Sequence, residues 1–139
     1  MKKKIPLLSI IITTTGRIET LSQVIEYYLK TVSDDLEFII SDNSGSKKKI
    51  SKIDSIKDKR FKKFKTTKKM DIEEHWNWVI KKATGKYLCF NCDDNILLDD
   101  ALHKLREINK KKNIDIFTYA ISTYFYPDWD LNKKGFPFK

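Results

Sequence analysis

The run from Leu7 to Ile12 is apolar at every position except Ser9 and closes on three consecutive isoleucines. A segment with no polar face to turn toward water predicts a strand covered on both sides, the situation of strands in a parallel sheet. Parallel strands cannot be joined by tight hairpins and need crossover connections, normally helices. The next residues meet that need: Leu21, Val24, Ile25, Tyr28 and Leu29 recur at helical spacing and predict an amphipathic helix from about Ile18 to Thr31. After Ser33-Asp34-Asp35, Leu36 to Ile40 supplies a second strand. Strand, helix, strand in this order favours a right-handed parallel crossover.

The pattern then repeats. A lysine-rich segment carries weak helical spacing at Ile50, Ile53 and Ile56 and a short strand candidate at Phe61 to Lys65. Ile72, Trp76, Val79, Ile80 and Ala83 trace a helical stripe that Asp71 is placed to cap, with Thr84-Gly85 expected as its C-terminal stop. Tyr87 to Cys92 reads as another strand. Ala101, Leu102, Leu105 and Ile108 form a further helical face, with Asp99 and Asp100 at its start and Lys110 to Lys112 at its end, both signs matching the helix dipole. Ile114 to Tyr124 reads as a last strand. The expected class is α/β, a mostly parallel sheet flanked by helices.

Length and charge narrow the rest. A chain of 139 residues with 40% hydrophobic and 12% aromatic content fits a single domain, read here over residues 1–139, with an ordinary core. The formal charge is +9, and Lys47 to Lys69 holds twelve Lys or Arg against Asp54 and Asp58, a local surplus larger than that of the whole chain. Such a segment is either a solvated face or a patch for polyanions or an anionic membrane surface. Cys89 and Cys92 lie three apart in one strand, so they point to opposite faces and do not suit a shared zinc, and no disulfide framework is implied. Lys2 to Lys4 followed by Ile5 to Ile12 is too short for a signal peptide and lacks a cleavage site. No stretch has transmembrane length, so the expected location is cytoplasmic, with peripheral attachment to the inner face of a membrane through Lys47 to Lys69 as the one membrane contact considered.

The chemistry-bearing residues stand where the apolar runs stop. Thr13 to Arg17, Asp42-Asn43 and Asp93-Asp94-Asn95 each follow a strand, and in a parallel sheet those ends share one edge. Hydroxyls and carboxylates converging on a crevice suit a nucleotide, whose base and ribose need hydrogen-bond partners and whose diphosphate needs a cation. An adjacent carboxylate pair is relieved of its repulsion by a divalent cation, although the same pair also suits a solvated turn. Arg17 is placed either to meet a phosphate or simply to begin a helix, and Lys65, Lys68 and Lys69 are alternative cations for a diphosphate. His75 reads as a packing or surface residue. The two tryptophans read as core and flank rather than as a platform for a ligand ring; Trp76 lies on the apolar stripe and Trp78 off it, so Trp78 is the better platform candidate of the two, and Asn77 faces nucleotide or solvent.

These residues also resemble a family, the inverting glycosyltransferases of family 2 with the GT-A nucleotide-diphospho-sugar transferase fold, which is Rossmann-like. The resemblance rests on Leu8-Ser9-Ile10-Ile11-Ile12-Thr13, on Glu37-Phe38-Ile39-Ile40-Ser41-Asp42-Asn43, on Asn77-Trp78-Val79-Ile80, and on Ala83-Thr84-Gly85-Lys86-Tyr87-Leu88 leading into Asp93-Asp94-Asn95. It implies that Thr13 and Thr15 contact the nucleotide, that Asp42 accepts a hydrogen bond from a uracil ring, that Asp93 approaches the ribose or sugar, and that Asp94 ligates Mn2+ or Mg2+. Cys92 stands where the commoner Asp-x-Asp-Asp form has its first aspartate, and Asn95 takes the third position of an Asp-Asp-Asp form. The implied partners are a nucleotide-diphospho-sugar donor, UDP-linked, and a glycan or lipid-linked acceptor; nucleic acid is not expected. The implied mechanism is a single displacement. The family's catalytic base belongs to an acceptor-binding region expected to be largely missing here, and neither Asp128 nor Asp130 matches its motif, so the base is unknown. The alternatives kept beside this reading are a non-catalytic nucleotide- or polyanion-binding module and a receiver-like module with Asp42 as phospho-acceptor.

Overall fold

The computed structural model describes residues 4–46, 51–111 and 115, with the side chains of Ser51 and Lys52 excepted. Its elements run β1 (Leu8–Thr14), α1 (Ile18–Lys30), β2 (Leu36–Asp42), α2 (Ser51–Asp54), β3 (Phe61–Lys65), α3 (Ile72–Ile80), β4 (Tyr87–Cys92) and α4 (Asp99–Lys111). Apart from Asp115, the strand read at Ile114 to Tyr124 lies outside the described residues, as do Asp128 and Asp130.

The four strands form one sheet in the order β3-β2-β1-β4, and every pairing is parallel. β1 and β2 are the central strands, and all seven residues of β2 are buried. The single polar residue of the opening run explains itself here: Ser9 pairs in register with Glu37, and its hydroxyl donates to Glu37 Oε2 at 2.6 Å. Thr84 adds a backbone and a hydroxyl donor to the same carboxylate, and Lys62 forms an ion pair with it.

Side-chain alternation divides the core between two faces. Ile10, Ile12, Phe38 and Ile40 pack against Leu21, Val24, Ile25 and Tyr28 of α1 and Leu102 and Leu105 of α4, with Ile53 of α2 on the same side. Ile11 and Ile39 pack on the other face against Val79 of α3, with Trp78, Phe64 and Phe90 around them. Helices therefore cover both faces, as a parallel sheet requires.

Three local expectations need correction. In α1, Leu29 is 42% exposed, so the buried face stops at Tyr28. In α3 the helix is turned from the expected stripe: His75 and Val79 are buried, while Ile72, Trp76 and Ile80 are exposed. Trp78 is thus no free platform, because it packs among Phe64, His75 and the Lys82 ammonium, whereas Trp76 stacks on Phe90 with its ring centroid 4.8 Å away. Gly85 does not end α3, which stops at Ile80 with Lys81 as its cap. It is needed because a Cβ there would lie 2.6 Å from Ser9 N. Asp71 does cap α3, accepting from Glu74 N at 2.8 Å.

Candidate active site

In the order β3-β2-β1-β4 the chain leaves β1 toward β2 on one side and later returns to β4 on the other. The reversal falls between β1 and β4, and such a switch point opens a crevice at the carboxyl ends of the strands. β1 ends at Thr14, β4 ends at Cys92, and the turn that follows carries Asp93 and Asp94.

Alternation decides which side chains meet there. Thr14 continues the face of Ile10 and Ile12, and Asp93 continues the face of Cys89 and Asn91. The Thr14 hydroxyl accordingly donates to Asp93 Oδ2 at 2.5 Å and accepts from Gly16 N at 3.0 Å. Gly16 has φ of 104°, a conformation that suits glycine and folds the chain from β1 back toward the carboxylates. Arg17 follows, and its guanidinium spans the acidic pair, with Nη2 on Asp93 Oδ1 and Nη1 2.8 Å from Asp94 Oδ2. Hydrogen bonding to Asp93 raises the Arg17 pKa further, so the cation is permanent. Asp93 is 1% exposed and Asp94 37% by side chain, so Asp94 alone of the pair faces the crevice.

A scaffold behind these residues fixes them. Tyr28 Oη accepts from Asn91 Nδ2 at 2.8 Å and from Leu97 N at 2.7 Å, tying α1 to both sides of the acidic turn. At the opposite end of the sheet, Arg106 of α4 reaches Asp35 and Ser33 at the entrance to β2.

Asp42 pairs in register with Thr14 and is also buried. Its Oδ1 accepts from Ser44 N at 2.8 Å and its Oδ2 lies 3.1 Å from Lys65 Nζ. Asn43 fixes the loop leading to α3 through Thr66 and both backbone groups of Met70. Behind Asp42, the Ser41 hydroxyl and His75 Nε2 are 2.6 Å apart, and burial lowers the His75 pKa. His75 is therefore a neutral core histidine.

The expected site residues divide accordingly. Asp42, Asp93 and Asp94 share the C-terminal edge. Thr13 lies there too but on the α3 face, where its hydroxyl donates to the Asn91 carbonyl at 3.3 Å, and Thr15 is exposed in the loop before α1. The threonine that reaches a carboxylate is Thr14, which a run of three threonines does not single out. Strand alternation from Ile10 and Ile12 would have found it. Burial, then Asp94 and Asp93, raise the Cys92 pKa.

A divalent ion fits this donor set only in part. Both oxygens of Asp93 are engaged, Asp94 shares Arg17, and no group of three His, Cys, Asp or Glu suited to a metal occurs among the described residues. The basic segment is also less open than its composition suggests: Arg60 bonds Asp58 and carbonyls at the end of α1, Lys62 pairs with Glu37, Lys63 with two carbonyls, and Lys65 with Asp42. Among the described residues no helix is long and apolar enough to cross a membrane. Two open grooves, the larger about 950 Å³, lie around Ile5, Pro6 and Thr84 at the opposite edge of the sheet. Asp58 and Arg60 in the larger groove pair with one another.

No curated protein matches the chain. The Glycosyl transferase family 2 profile matches residues 9–137, which takes in all of the described elements but the first residue of β1. The chain belongs to glycosyltransferase family 2, on a parallel α/β sheet consistent with the GT-A fold.

Proposed function

We propose that the chain binds a nucleotide-diphospho-sugar, UDP-linked, across the carboxyl ends of β2, β1 and β4 and transfers the sugar with inversion to a glycan or lipid-linked acceptor. The observation that carries this reading is the meeting of Thr14, Arg17, Asp93 and Asp94 at the switch point, from segments nearly eighty residues apart. Thr14 and Arg17 hold Asp93 in place, and Asp93 orients the ribose or sugar. Asp94 faces the crevice and is the residue to hold Mn2+ or Mg2+, which when bound neutralises the departing diphosphate. Asp42, paired with Lys65, offers the uracil its acceptor, and Thr13 and Thr15 flank the nucleotide from the β1 end. The location fitting this chemistry is cytoplasmic, where nucleotide-sugars are the donors.

Titration calorimetry with UDP and the other nucleoside diphosphates, with and without Mn2+, tests the reading. Saturable binding strengthened by Mn2+ is expected, with Asp94→Ala weakening it at least tenfold and Lys57→Ala changing it less than twofold. Absence of saturable binding at millimolar nucleotide would refute it. The rival reading, a polyanion or anionic-membrane module on Lys47 to Lys69, would instead show binding to vesicles or nucleic acid that falls steeply with salt.

A further inference from the structure

Tyr28 is a core residue with a polar tip. It is 0% exposed, and its ring centroid lies 4.7 Å from that of Phe38 and 5.3 Å from that of Tyr27. A phenylalanine would fill the same space, so packing does not account for the hydroxyl. A helical side chain leans toward the N-terminus of its helix, and α1 begins at the carboxyl edge of the sheet, so the hydroxyl is carried toward that edge. There Tyr28 Oη accepts from Asn91 Nδ2 at 2.8 Å and from Leu97 N at 2.7 Å. Asn91 lies near the end of β4 and Leu97 shortly before α4, both are buried, and Asp93 and Asp94 stand between them. The turn's own closing bonds are longer: Asn95 N to the Cys92 carbonyl at 3.3 Å and Asn91 Nδ2 to the Asn95 carbonyl at 3.4 Å. The two short bonds at the base of the acidic turn therefore converge on one phenol oxygen. Removing that oxygen leaves a buried backbone N–H at Leu97 without its acceptor, and the turn must shift to satisfy it.

We propose that Tyr28 is a positioning residue: its hydroxyl sets the conformation of the turn that presents Asp93 and Asp94, so that donor binding depends on a group in the core that does not touch the donor. Thr14 and Arg17 hold the carboxylates from the β1 side, and Tyr28 holds the chain on either side of them. The proposal rests on the nucleotide-sugar reading for its effect on the donor only; the fixing of the turn is independent of any ligand.

The first arm of the test needs no ligand. Native-state hydrogen exchange is followed on the intact chain as wild type, Tyr28→Phe and Val24→Ala. Val24 is buried on the same face of α1 and, when truncated, lowers global stability without touching the acidic turn. Tyr28→Phe is expected to speed exchange of the Asn95 and Leu97 amides at least tenfold. Val24→Ala is expected to change those two less than twofold and to speed the amides of Ile10 to Ile12, which open with global unfolding. Unchanged exchange at Asn95 and Leu97 in Tyr28→Phe, or the same change there in both variants, overturns the proposal. The second arm is calorimetry with UDP and Mn2+ at a temperature where circular dichroism shows each protein folded. Tyr28→Phe is expected to weaken binding at least fivefold and Val24→Ala less than twofold; equal affinity in wild type and Tyr28→Phe refutes the effect on the donor. Should Tyr28→Phe not fold, Asn91→Ala, which removes one of the two donors to the hydroxyl, decides the matter: exchange at Leu97 at least threefold faster supports the role of Tyr28, and unchanged exchange refutes it. If UDP does not bind the wild type, the donor reading falls while the exchange arm still decides whether Tyr28 fixes the turn.

Discussion

Glu37 carries a carboxylate that is 4% exposed in the centre of the sheet. Burial pushes its pKa up, but the Lys62 ion pair and the donors Ser9 and Thr84 outweigh that and hold it down at about 2, against an ordinary 4.5. Because the folded value is the lower one, the unfolded chain binds more protons in acid. The contribution is therefore complete above about pH 4.5 and is lost as the pH falls toward 2. Its size is at most about 3 kcal/mol, since each tenfold difference in proton affinity between the folded and unfolded chain corresponds to about 1.4 kcal/mol. Glu37→Gln should flatten the acid limb of the stability curve, as urea denaturation at pH 7 and pH 3 would record. An equal fall in wild type and variant would show that Glu37 is not its source. The residue was legible in the sequence only as an exception, an acid opening an apolar run. Nothing local indicates that Ser9 and Thr84 arrive to satisfy it.

At the scale of the element, α3 shows how a helix can be correctly placed and wrongly oriented. The expected stripe ran through Ile72, Trp76, Val79, Ile80 and Ala83; Val79 is buried and Ala83 packs beside it, but the sheet also takes His75 and Trp78 and leaves Ile72, Trp76 and Ile80 exposed. The register is imposed by the Ser41–His75 hydrogen bond and by Val79 packing on Ile11 and Ile39. Such a bond removes the cost of burying two polar groups, which a spacing rule counts as unfavourable. Val79→Ala should thus lower stability by about 2 kcal/mol, whereas Ile72→Ala, at a residue 69% exposed, should stay within about 0.5 kcal/mol. Thermal or chemical unfolding of the two variants separates the orientations, since the expected stripe demands comparable losses. The end of α1 carries the same lesson: Arg60, forty-three positions after Arg17, donates to the carbonyls of Thr31 and Ser33 while Asp58 holds its other side.

For the molecule as a whole, the order β3-β2-β1-β4 among the described residues makes β1 and β2 central and leaves β3 and β4 with one described neighbour each. Opening β1 or β2 breaks two ladders and uncovers both apolar faces, so their amides should exchange only through global unfolding. Amides of Ile10 to Ile12 and Phe38 to Ile40 are expected to be at least tenfold more protected than those of Lys63 to Lys65 and Leu88 to Phe90 in native-state hydrogen exchange. Uniform protection across the four strands would contradict this hierarchy. Part of the basic surplus is taken up along β3 by internal partners, Lys62 with Glu37, Lys63 with two carbonyls and Lys65 with Asp42.

The sequence by itself determined the class of the fold, the existence and order of the described strands and helices, and the placement of Asp42, Asp93 and Asp94 at strand ends. Those features follow from local periodicity and from the rule that apolar runs end where the chain meets water. Family membership was legible separately, through the resemblance carried by the motifs at Leu8 to Thr13, Glu37 to Asn43, Asn77 to Ile80 and Ala83 to Asn95. Only the tertiary structure decided that β4 lies beside β1 rather than beyond β3, which is what brings Asp93 within 2.5 Å of the Thr14 hydroxyl. It also decided that Arg17 turns onto the acidic pair. Both depend on contacts between residues about seventy-six to seventy-nine positions apart, whose partners are chosen by sheet order and by which face each side chain takes, and neither is written in any local stretch.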